Sequence, residues 1–351
     1  MSETEACSLA EAFWKEFSGL EGASQTPSAQ FLEMASKLSR SGHGYLLSSR
    51  FGDYKLSANI PFTHKDVGLA LPHPVLAIAD FIKCLDSNDK LKLLFMGNTP
   101  KQFEDFWLIW KKRQSLHPIY AVHGSHLGQC VPIMIHADEG TSQKKKGLMI
   151  LQVQPAMGHG TSKRKADGSV PGVNFLGKSI VTRFLYSVML TRCYSGKKLK
   201  NKPLLRLIEH LALELRAAFY EGIQTKSGTV YLVPIAMKGD WPALVKCGQL
   251  TRHHLRDVSG KGASKGSGAG ICHLCLGGQA SHDWFDISHE NMKKMKVGAT
   301  PPWKSEPALV RHLPLGPYKP DFFRIDIFHT LHKGVFGDIA ANAIDLWLLV
   351  I

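Results

Sequence analysis

The fold is decided by the run Val131-Pro132-Ile133-Met134-Ile135-His136-Ala137, followed closely by Leu148-Met149-Ile150-Leu151-Gln152-Val153. Both runs are short and mostly apolar, which is typical of strands buried on both faces of a sheet. The residues between them, 138–147, are polar and contain glycine, so they favour a turn. We therefore predict two strands joined as a hairpin.

The segments that follow predict further elements of an α/β protein. Residues 184–191 predict a helix on their apolar content. Residues 203–220 predict another, because Pro203 suits a first helical turn and one apolar stripe is formed by Leu204, Ile208, Leu211, Leu215 and Phe219. Residues 229–237 predict a strand that leads to Asp240, although Pro234 argues against a regular central strand.

Residues 1–115 predict a helical region that contains no recognisable motif. Amphipathic helices are predicted over 11–17, 30–38, 74–85 and 100–112. The last one ends in Lys111-Lys112-Arg113 and carries Phe103, Phe106, Trp107, Ile109 and Trp110. This pattern fits an aromatic and basic nucleic-acid surface, but aromatic residues at helical spacing more often pack into a core.

The amino-acid composition limits the classes of protein to which the chain can belong. The chain has 351 residues, of which 44% are hydrophobic, enough for a sizeable core. It lacks a run of about 18 apolar residues, so we expect no membrane-spanning helix, and its first residues lack the pattern of a secretory signal. Lys and Arg number 43 against 29 Asp and Glu, a net charge of +14. That balance suits a polyanion such as DNA, although an ordinary basic surface would give it too.

Two aspartates occupy comparable places in this pattern, since Asp138 and Asp240 each follow a mostly apolar predicted strand. In an open sheet, residues just beyond the carboxyl ends of strands face the functional crevice. Two carboxylates there would hold Mg²⁺, which prefers oxygen ligands, for phosphodiester chemistry. On spacing alone, acidic residues at strand ends are more often turn formers or helix caps.

Three stretches and one cysteine pair carry a resemblance. In order, they are Ile133-Met134-Ile135-His136-Ala137-Asp138-Glu139-Gly140-Thr141-Ser142, Ile235-Ala236-Met237-Lys238-Gly239-Asp240-Trp241-Pro242-Ala243-Leu244, Cys272-His273-Leu274-Cys275 and Asp326-Ile327-Phe328-His329-Thr330-Leu331-His332-Lys333-Gly334-Val335-Phe336-Gly337-Asp338. Over residues 115–345 this order resembles Plavaka-type and Kyakuja/Dileera/Zisupton-type DDE transposases. The stretches are similar to their first and second catalytic strands, their Cys-rich insertion and their His-Lys-Gly segment.

The resemblance implies an RNase H-like fold, a mixed sheet with flanking helices, and three acidic residues that hold Mg²⁺ or Mn²⁺. Asp138 and Asp240 match the first two. A third acid is not matched, because Asp338 and Asp345 stand in a different context before the chain ends at Ile351. The chain therefore looks like a truncated transposase with impaired cleavage and strand transfer. The implied regions are a core over 116–245, a Gly-rich linker and insertion over 246–320, and a helical start over 321–351.

Cys272 and Cys275 have the spacing that structural zinc prefers, but such a pair is half a site. His253 and His254 are the first candidates to complete it, and further candidates are Cys247, His282 and His289. The alternative is a pair of ordinary reduced cysteines. The other cysteines are scattered and the total of 7 is odd, which indicates a reducing compartment rather than a disulfide framework.

Several further residues are candidates for contact with DNA, namely Lys144, Lys145, Lys146, Lys163, Arg164, Lys165, His329, His332 and Lys333. The run 163–165 also resembles a nuclear-import signal, so we expect a nuclear protein or otherwise a cytoplasmic one. A solvated loop gives the same short run of charge, and half-buried histidines are common in cores.

Three hypotheses follow from the sequence. The chain is a metal-dependent phosphodiester-cleaving core inherited from a transposase, a non-catalytic DNA-binding protein built on the same remnant, or a structural domain without a nucleic-acid role. A homo-oligomer is compatible with each of them. DNA affinity that survives loss of Asp138 and Asp240 would separate the second hypothesis from the first, because phosphate contacts would carry it.

Overall fold

A computed structural model describes residues 2–19, 27–51, 53, 60–141, 147–158, 183–252, 270–279, 282–295, 301–325, 339–341 and 343. By its internal contacts the chain divides into two compact units, Met1–Ile60 and Pro61–Ile351. The region predicted over residues 1–115 is thus shared between them. No helix within the described ranges has the length and apolar character needed to cross a membrane.

The first unit contains two helices, α1 (Glu3–Phe17) and α2 (Pro27–Arg40), and short 3₁₀ turns at Gly44–Leu46 and Ser48–Arg50. Helix α1 begins at a reciprocal cap, in which the Ser2 hydroxyl accepts from the Glu5 amide and the Glu5 carboxylate accepts from the Ser2 amide. Both predicted helices of this region are confirmed but are longer than predicted. Their common core consists of Cys7, Ala10, Ala35 and Leu47.

The second unit begins with a small hairpin and helices: β1 (Thr63–Lys65), β2 (His73–Val75), α3 (Ile78–Ser87), α4 (Lys92–Phe95), α5 (Pro100–Lys111) and α6 (Ile119–Val122). The main sheet and its helix follow as β3 (Cys130–Thr141), β4 (Gly147–Pro155), β5 (Phe184–Leu190), α7 (Lys202–Tyr220), β6 (Ile223–Thr225) and β7 (Gly228–Gly239). The last described helices are α8 (Trp241–Cys247), α9 (His289–Met295) and α10 (Ala308–His312).

The main sheet has five strands in the order β5-β4-β3-β7-β6. Strands β3, β4 and β5 form an antiparallel meander, β7 lies parallel to β3, and β6 is antiparallel to β7. The protein is therefore α/β, with a mixed sheet and flanking helices. The predicted hairpin and the predicted helix over 203–220 are confirmed by β3–β4 and α7.

Helices cover both faces of this sheet. The larger core joins β3 to α7 through residues such as Ile133, Ile135, Leu207 and Leu211. Alternate residues of the same strands point the other way, and a second core lies there, formed by Trp107, Ile119, Cys130, Phe219 and Val233. Trp107 is fully buried and donates from Nε1 to the Cys130 carbonyl at 2.9 Å.

The aromatic segment of α5 is thus mainly core. Phe103 and Trp107 are buried, and Trp110 is half-buried. The adjoining Lys111-Lys112-Arg113 run is exposed. The packing interpretation of this helix is correct for its aromatic face.

Residues 184–191 are not helical, and that prediction is wrong. Residues 184–190 form β5, which pairs with β4 from Val153–Phe184 to Leu148–Leu190. A short apolar run does not distinguish a buried strand from a helix by its periodicity. Here the edge of β4 was available to pair, and the pairing determines the conformation.

Strand β7 accommodates Pro234 through a β-bulge. Ile133 pairs with Pro234, whereas Met134 pairs with Ala236, so Ile235 is the additional residue. A bulge is one of the few places where proline fits within a sheet. The strand predicted over 229–237 is confirmed, and it lies between β3 and β6.

Candidate functional site

The two predicted acidic residues lie side by side. Strands β3 and β7 are parallel, and Ala137 pairs with Gly239 immediately before Asp138 and Asp240. Side chains at matching positions of parallel strands point to the same face. The sheet thus brings Asp138 and Asp240 together at one edge, as the sequence predicted. Asp138 itself lies within β3, which continues to Thr141 rather than ending at Ala137.

Gly239 permits this close approach. A Cβ atom at position 239 would collide with the backbone carbonyl of Ala137. Only glycine therefore allows β7 to approach β3 this closely immediately before Asp240. Gly239 is consequently a geometric requirement of the site.

Asp240 is also the N-cap of α8. Its Oδ1 accepts from the Ala243 amide at 3.0 Å, and Pro242 suits the first turn of the helix. Burial raises the pKa of the Asp240 carboxyl group, hydrogen bonds from the Ala243 and Glu139 amides lower it, and the carboxylate of Asp138 raises it. Asp240 thus has the capping role that acidic residues often have, within electrostatic range of a second carboxylate.

Glu139 faces the opposite side of β3 from Asp138, because successive side chains of a strand alternate. Its Oε1 accepts from the Tyr194 hydroxyl at 2.9 Å, and its Oε2 forms an ion pair with Lys246 of α8. The Lys246 ammonium also lies 5.8 Å from the centroid of the Tyr194 ring. Burial raises the pKa of Tyr194 and the neighbouring Glu139 adds to the rise, so this hydroxyl stays a donor.

Two carboxylates fit one part of a magnesium site. Mg²⁺ is commonly bound by one or two protein carboxylates, with water or phosphate oxygens completing its octahedron. Asp138 and Asp240 provide such a pair of hard oxygen donors. No set of three or more His, Cys, Asp or Glu in the described part of the chain is arranged to hold a metal ion. Among the described residues, Asp138 and Asp240 are therefore a pair of neighbouring carboxylates without a third metal-ligating side chain grouped with them.

The Cys272–Cys275 pair lies in a tight turn. The Leu274 amide donates to the sulfur of Cys272 at 3.3 Å, and the Gly277 amide donates to that of Cys275 at 3.4 Å. The Cys272 thiol lowers the pKa of Cys275 by hydrogen bonding. Two adjacent sulfurs with backbone donors fit half of a structural zinc site.

The other zinc candidates lie in different parts of the chain. His253 and His254 lie outside the described residues. His282 is close enough to lower the pKa of Cys275, after larger effects from Cys272, burial and other neighbours. Cys247 is buried in the main core, where Asp240, Lys246 and Glu139 are its charged neighbours. His289 is exposed at the start of α9. The zinc site stays a prediction.

His273, between the two cysteines, connects this turn to the acidic pair. Its ring centroid lies 5.5 Å from that of Trp241, the residue after Asp240. Its Nε2 donates to the Phe323 carbonyl at 2.8 Å. Burial lowers the pKa of His273, which keeps the ring neutral. The cysteine turn thus packs behind the end of β7.

The predicted DNA contacts lie outside the described residues. This holds for Lys144, Lys145, Lys146, Lys163, Arg164, Lys165, His329, His332 and Lys333, and for Asp338 and Asp345. Their roles stay predictions.

Sequence reasoning missed Glu139, Tyr194 and Lys246. Glu139 was visible as the neighbour of Asp138, but a strand places adjacent residues on opposite faces. Tyr194 follows a segment predicted as a helix, and Lys246 looked like an ordinary surface lysine. Only the pairing of β4 with β5 and the direction of α8 bring the three together.

Comparison of the chain with protein-family models, curated proteins and solved structures finds no match. The function must therefore be argued from the geometry of the site.

Proposed function

We propose that this chain is a transposase-derived protein that acts on DNA, with an RNase H-like core in which Asp138 and Asp240 hold a Mg²⁺ or Mn²⁺ ion. The element order supports this proposal. An RNase H-like sheet has three consecutive antiparallel strands, then a helix, then a fourth strand parallel to the first and beside it. Strands β3, β4 and β5, helix α7 and strand β7 follow that order.

The observation that carries the proposal is the register of β3 and β7. It brings Asp138 and Asp240, which are distant in sequence, to one face of the sheet where β7 ends. This is where open α/β sheets bind ligands. The Asp138 carboxylate contributes, after burial, to the raised pKa of Asp240. Two carboxylates that lie close together repel each other, and a divalent cation bound between them removes that repulsion.

A bound cation would stabilise the negative charge that develops on a phosphodiester during cleavage. Asp138 and Asp240 would hold it, and the amides of Ala243 and Glu139 orient the Asp240 carboxylate. Lys238 lies on the same face as these acids, beside His136 in the register. A lysine there is suited to a phosphate of the DNA.

A second candidate is DNA binding without cleavage. It is favoured by the lack of a third ligand in the described residues and by the net charge of +14. Phosphate contacts from Lys and Arg suffice for such binding and release counterions. The two candidates share the fold and differ only in what the carboxylates do.

The test measures duplex DNA binding by fluorescence anisotropy over a salt series, and nicking of supercoiled plasmid with Mg²⁺ or Mn²⁺. The variants are Asp138→Asn and Asp240→Asn. DNA-binding proteins lose affinity with salt at a logarithmic slope of about −0.9 per phosphate contact. Nicking that each variant abolishes supports the catalytic form. Salt-dependent binding that persists in both variants without nicking supports the second candidate. Absence of DNA binding at low salt would contradict both.

A further inference from the structure

A closed ring of contacts surrounds Asp240. Its carboxylate receives the Ala243 amide from α8 and the Glu139 amide from β3. The side chain of the same Glu139 pairs with Lys246, one turn further along α8. Strand β3 therefore contacts α8 twice, at the helix start through Asp240 and near its end through Lys246.

Tyr194 completes this arrangement from the third side. Its side chain is fully buried, its hydroxyl donates to Glu139 at 2.9 Å, and Thr191 lies 3.2 Å from the same hydroxyl oxygen. Glu139 and Lys246 are only 16% and 27% exposed. A largely buried carboxylate is costly unless it is paired, and Lys246 and Tyr194 supply the ion pair and the hydrogen bond that Glu139 needs in this position.

We propose that Glu139, held by Tyr194 and Lys246, is a positioning residue that fixes Asp240 for cation binding from the opposite side of the sheet. We call Glu139, Tyr194 and Lys246 the clamp. Its purpose rests on the proposed function, but its effect on the backbone around Asp240 can be measured without metal or DNA. The side chain of Glu139 fixes its own backbone, and that backbone amide orients the Asp240 carboxylate. Lys246 fixes α8, whose first turn supplies the other amide.

The experiment compares the wild type with Lys246→Met, Lys246→Arg, Glu139→Gln and Tyr194→Phe. The chain offers a matched control of the same chemistry, because Lys65 pairs with Glu214 at 2.9 Å and Tyr186 donates to Glu214 at 3.3 Å. Lys65→Met therefore removes a lysine from an equivalent triad. Amide hydrogen exchange follows the Glu139 and Ala243 N–H groups, the two amides that orient the Asp240 carboxylate.

We expect Lys246→Met, Glu139→Gln and Tyr194→Phe to speed exchange of the Glu139 amide about tenfold, which corresponds to about 1.4 kcal/mol of local opening. Lys246→Met should also speed exchange of the Ala243 amide. Lys246→Arg should restore slow exchange of both amides, because an arginine can pair with the same carboxylate, and Lys65→Met should change neither. If Lys246→Met does not fold, Glu139→Gln and Tyr194→Phe supply the comparison.

The inference is overturned if Lys246→Met, Glu139→Gln and Tyr194→Phe exchange the Glu139 amide as slowly as Lys65→Met does. Because these measurements use metal-free protein without DNA, failure of cation or DNA binding would leave them unaffected. If the clamp variants speed amide exchange but the protein binds neither a cation nor DNA, the proposed function is contradicted and the structural role of Glu139 is kept.

Discussion

Asp138 and Asp240 lie next to each other on one face of the sheet, directly beyond the register pair Ala137–Gly239. Burial raises the pKa of Asp240, and the neighbouring Asp138 contributes to the rise. Asp240 is at the same time the N-cap of α8. Asp240 thus caps a helix and lies near a second carboxylate, and substitution can separate the cap from the proposed cation ligand.

Asp240→Asn separates the cap from the cation ligand. Asparagine caps helices as well as aspartate does, so the free energy of unfolding should change by less than about 0.5 kcal/mol. Asp240→Ala loses the cap and should cost about 1 kcal/mol. Both should weaken Mn²⁺ binding at least about tenfold in calorimetry, because one of two carboxylates is gone. Mn²⁺ affinity unchanged in Asp240→Asn would show that Asp240 is only a cap.

Gly239→Ala tests the close approach of β7 to β3. The added methyl group meets the Ala137 carbonyl, so we expect a loss of about 1–3 kcal/mol in chemical denaturation and weaker Mn²⁺ binding as the acids separate. Gly140 lies in the neighbouring strand β3, and a Cβ there meets nothing within 4 Å. Gly140→Ala is the matched control, expected within about 0.5 kcal/mol of the wild type. Equal effects from the two substitutions would argue against the packing described for Gly239.

His117 should make stability depend on pH. Burial lowers its pKa from 6.5 to about 4, while its Nδ1 accepts from the Ile119 amide. The folded state therefore favours the neutral ring. Its contribution is complete above pH 6.5 and is lost as pH falls toward 4, by up to about 3 kcal/mol.

His117→Asn, which keeps an acceptor near the Ile119 amide, should flatten the decline in urea-unfolding free energy between pH 6.5 and 4. The exposed His126 gives the control variant His126→Asn, which should keep the wild-type slope. A His117→Asn profile parallel to the wild type would show that His117 titrates normally.

The turn that contains Cys272 and Cys275 leads to a prediction about the zinc content of the protein. If Cys272 and Cys275 are half of a zinc site, purified protein should contain about one zinc per chain by elemental analysis. The double variant Cys272→Ser, Cys275→Ser should contain almost none. Cys193→Ser, which changes a half-buried cysteine outside this turn, is the control and should retain it. Metal-free wild-type protein that takes up no zinc would show that these are ordinary thiols.

The sequence predicted the elements that depend on local pattern. The β3–β4 hairpin follows from two apolar runs around a polar turn, and α7 follows from its stripe at helical spacing. The meeting of Asp138 and Asp240 was also expected, because both were predicted to follow strands of one sheet. These features need only periodicity and the geometry of strand ends.

The features that the sequence did not predict depend on pairing between segments that are distant along the chain. Residues 184–190 became a strand because β4 offered an edge, which no local pattern encodes. Asp138 lies inside β3 because the pairing continues to Thr141. The contacts of Glu139 with Tyr194 and Lys246 depend on the paths of β5 and α8 together. The bulge at Ile235 explains why a proline that argued against a central strand is tolerated there.

The location of a bound divalent cation tests most directly whether Asp138 and Asp240 share one. Crystals grown with Mn²⁺ and measured at the manganese edge give an anomalous peak wherever the ion binds. We expect a peak between the carboxylate oxygens of Asp138 and Asp240, at about 2 Å from each. A peak elsewhere, or none between these two side chains at saturating Mn²⁺, would contradict a shared cation site.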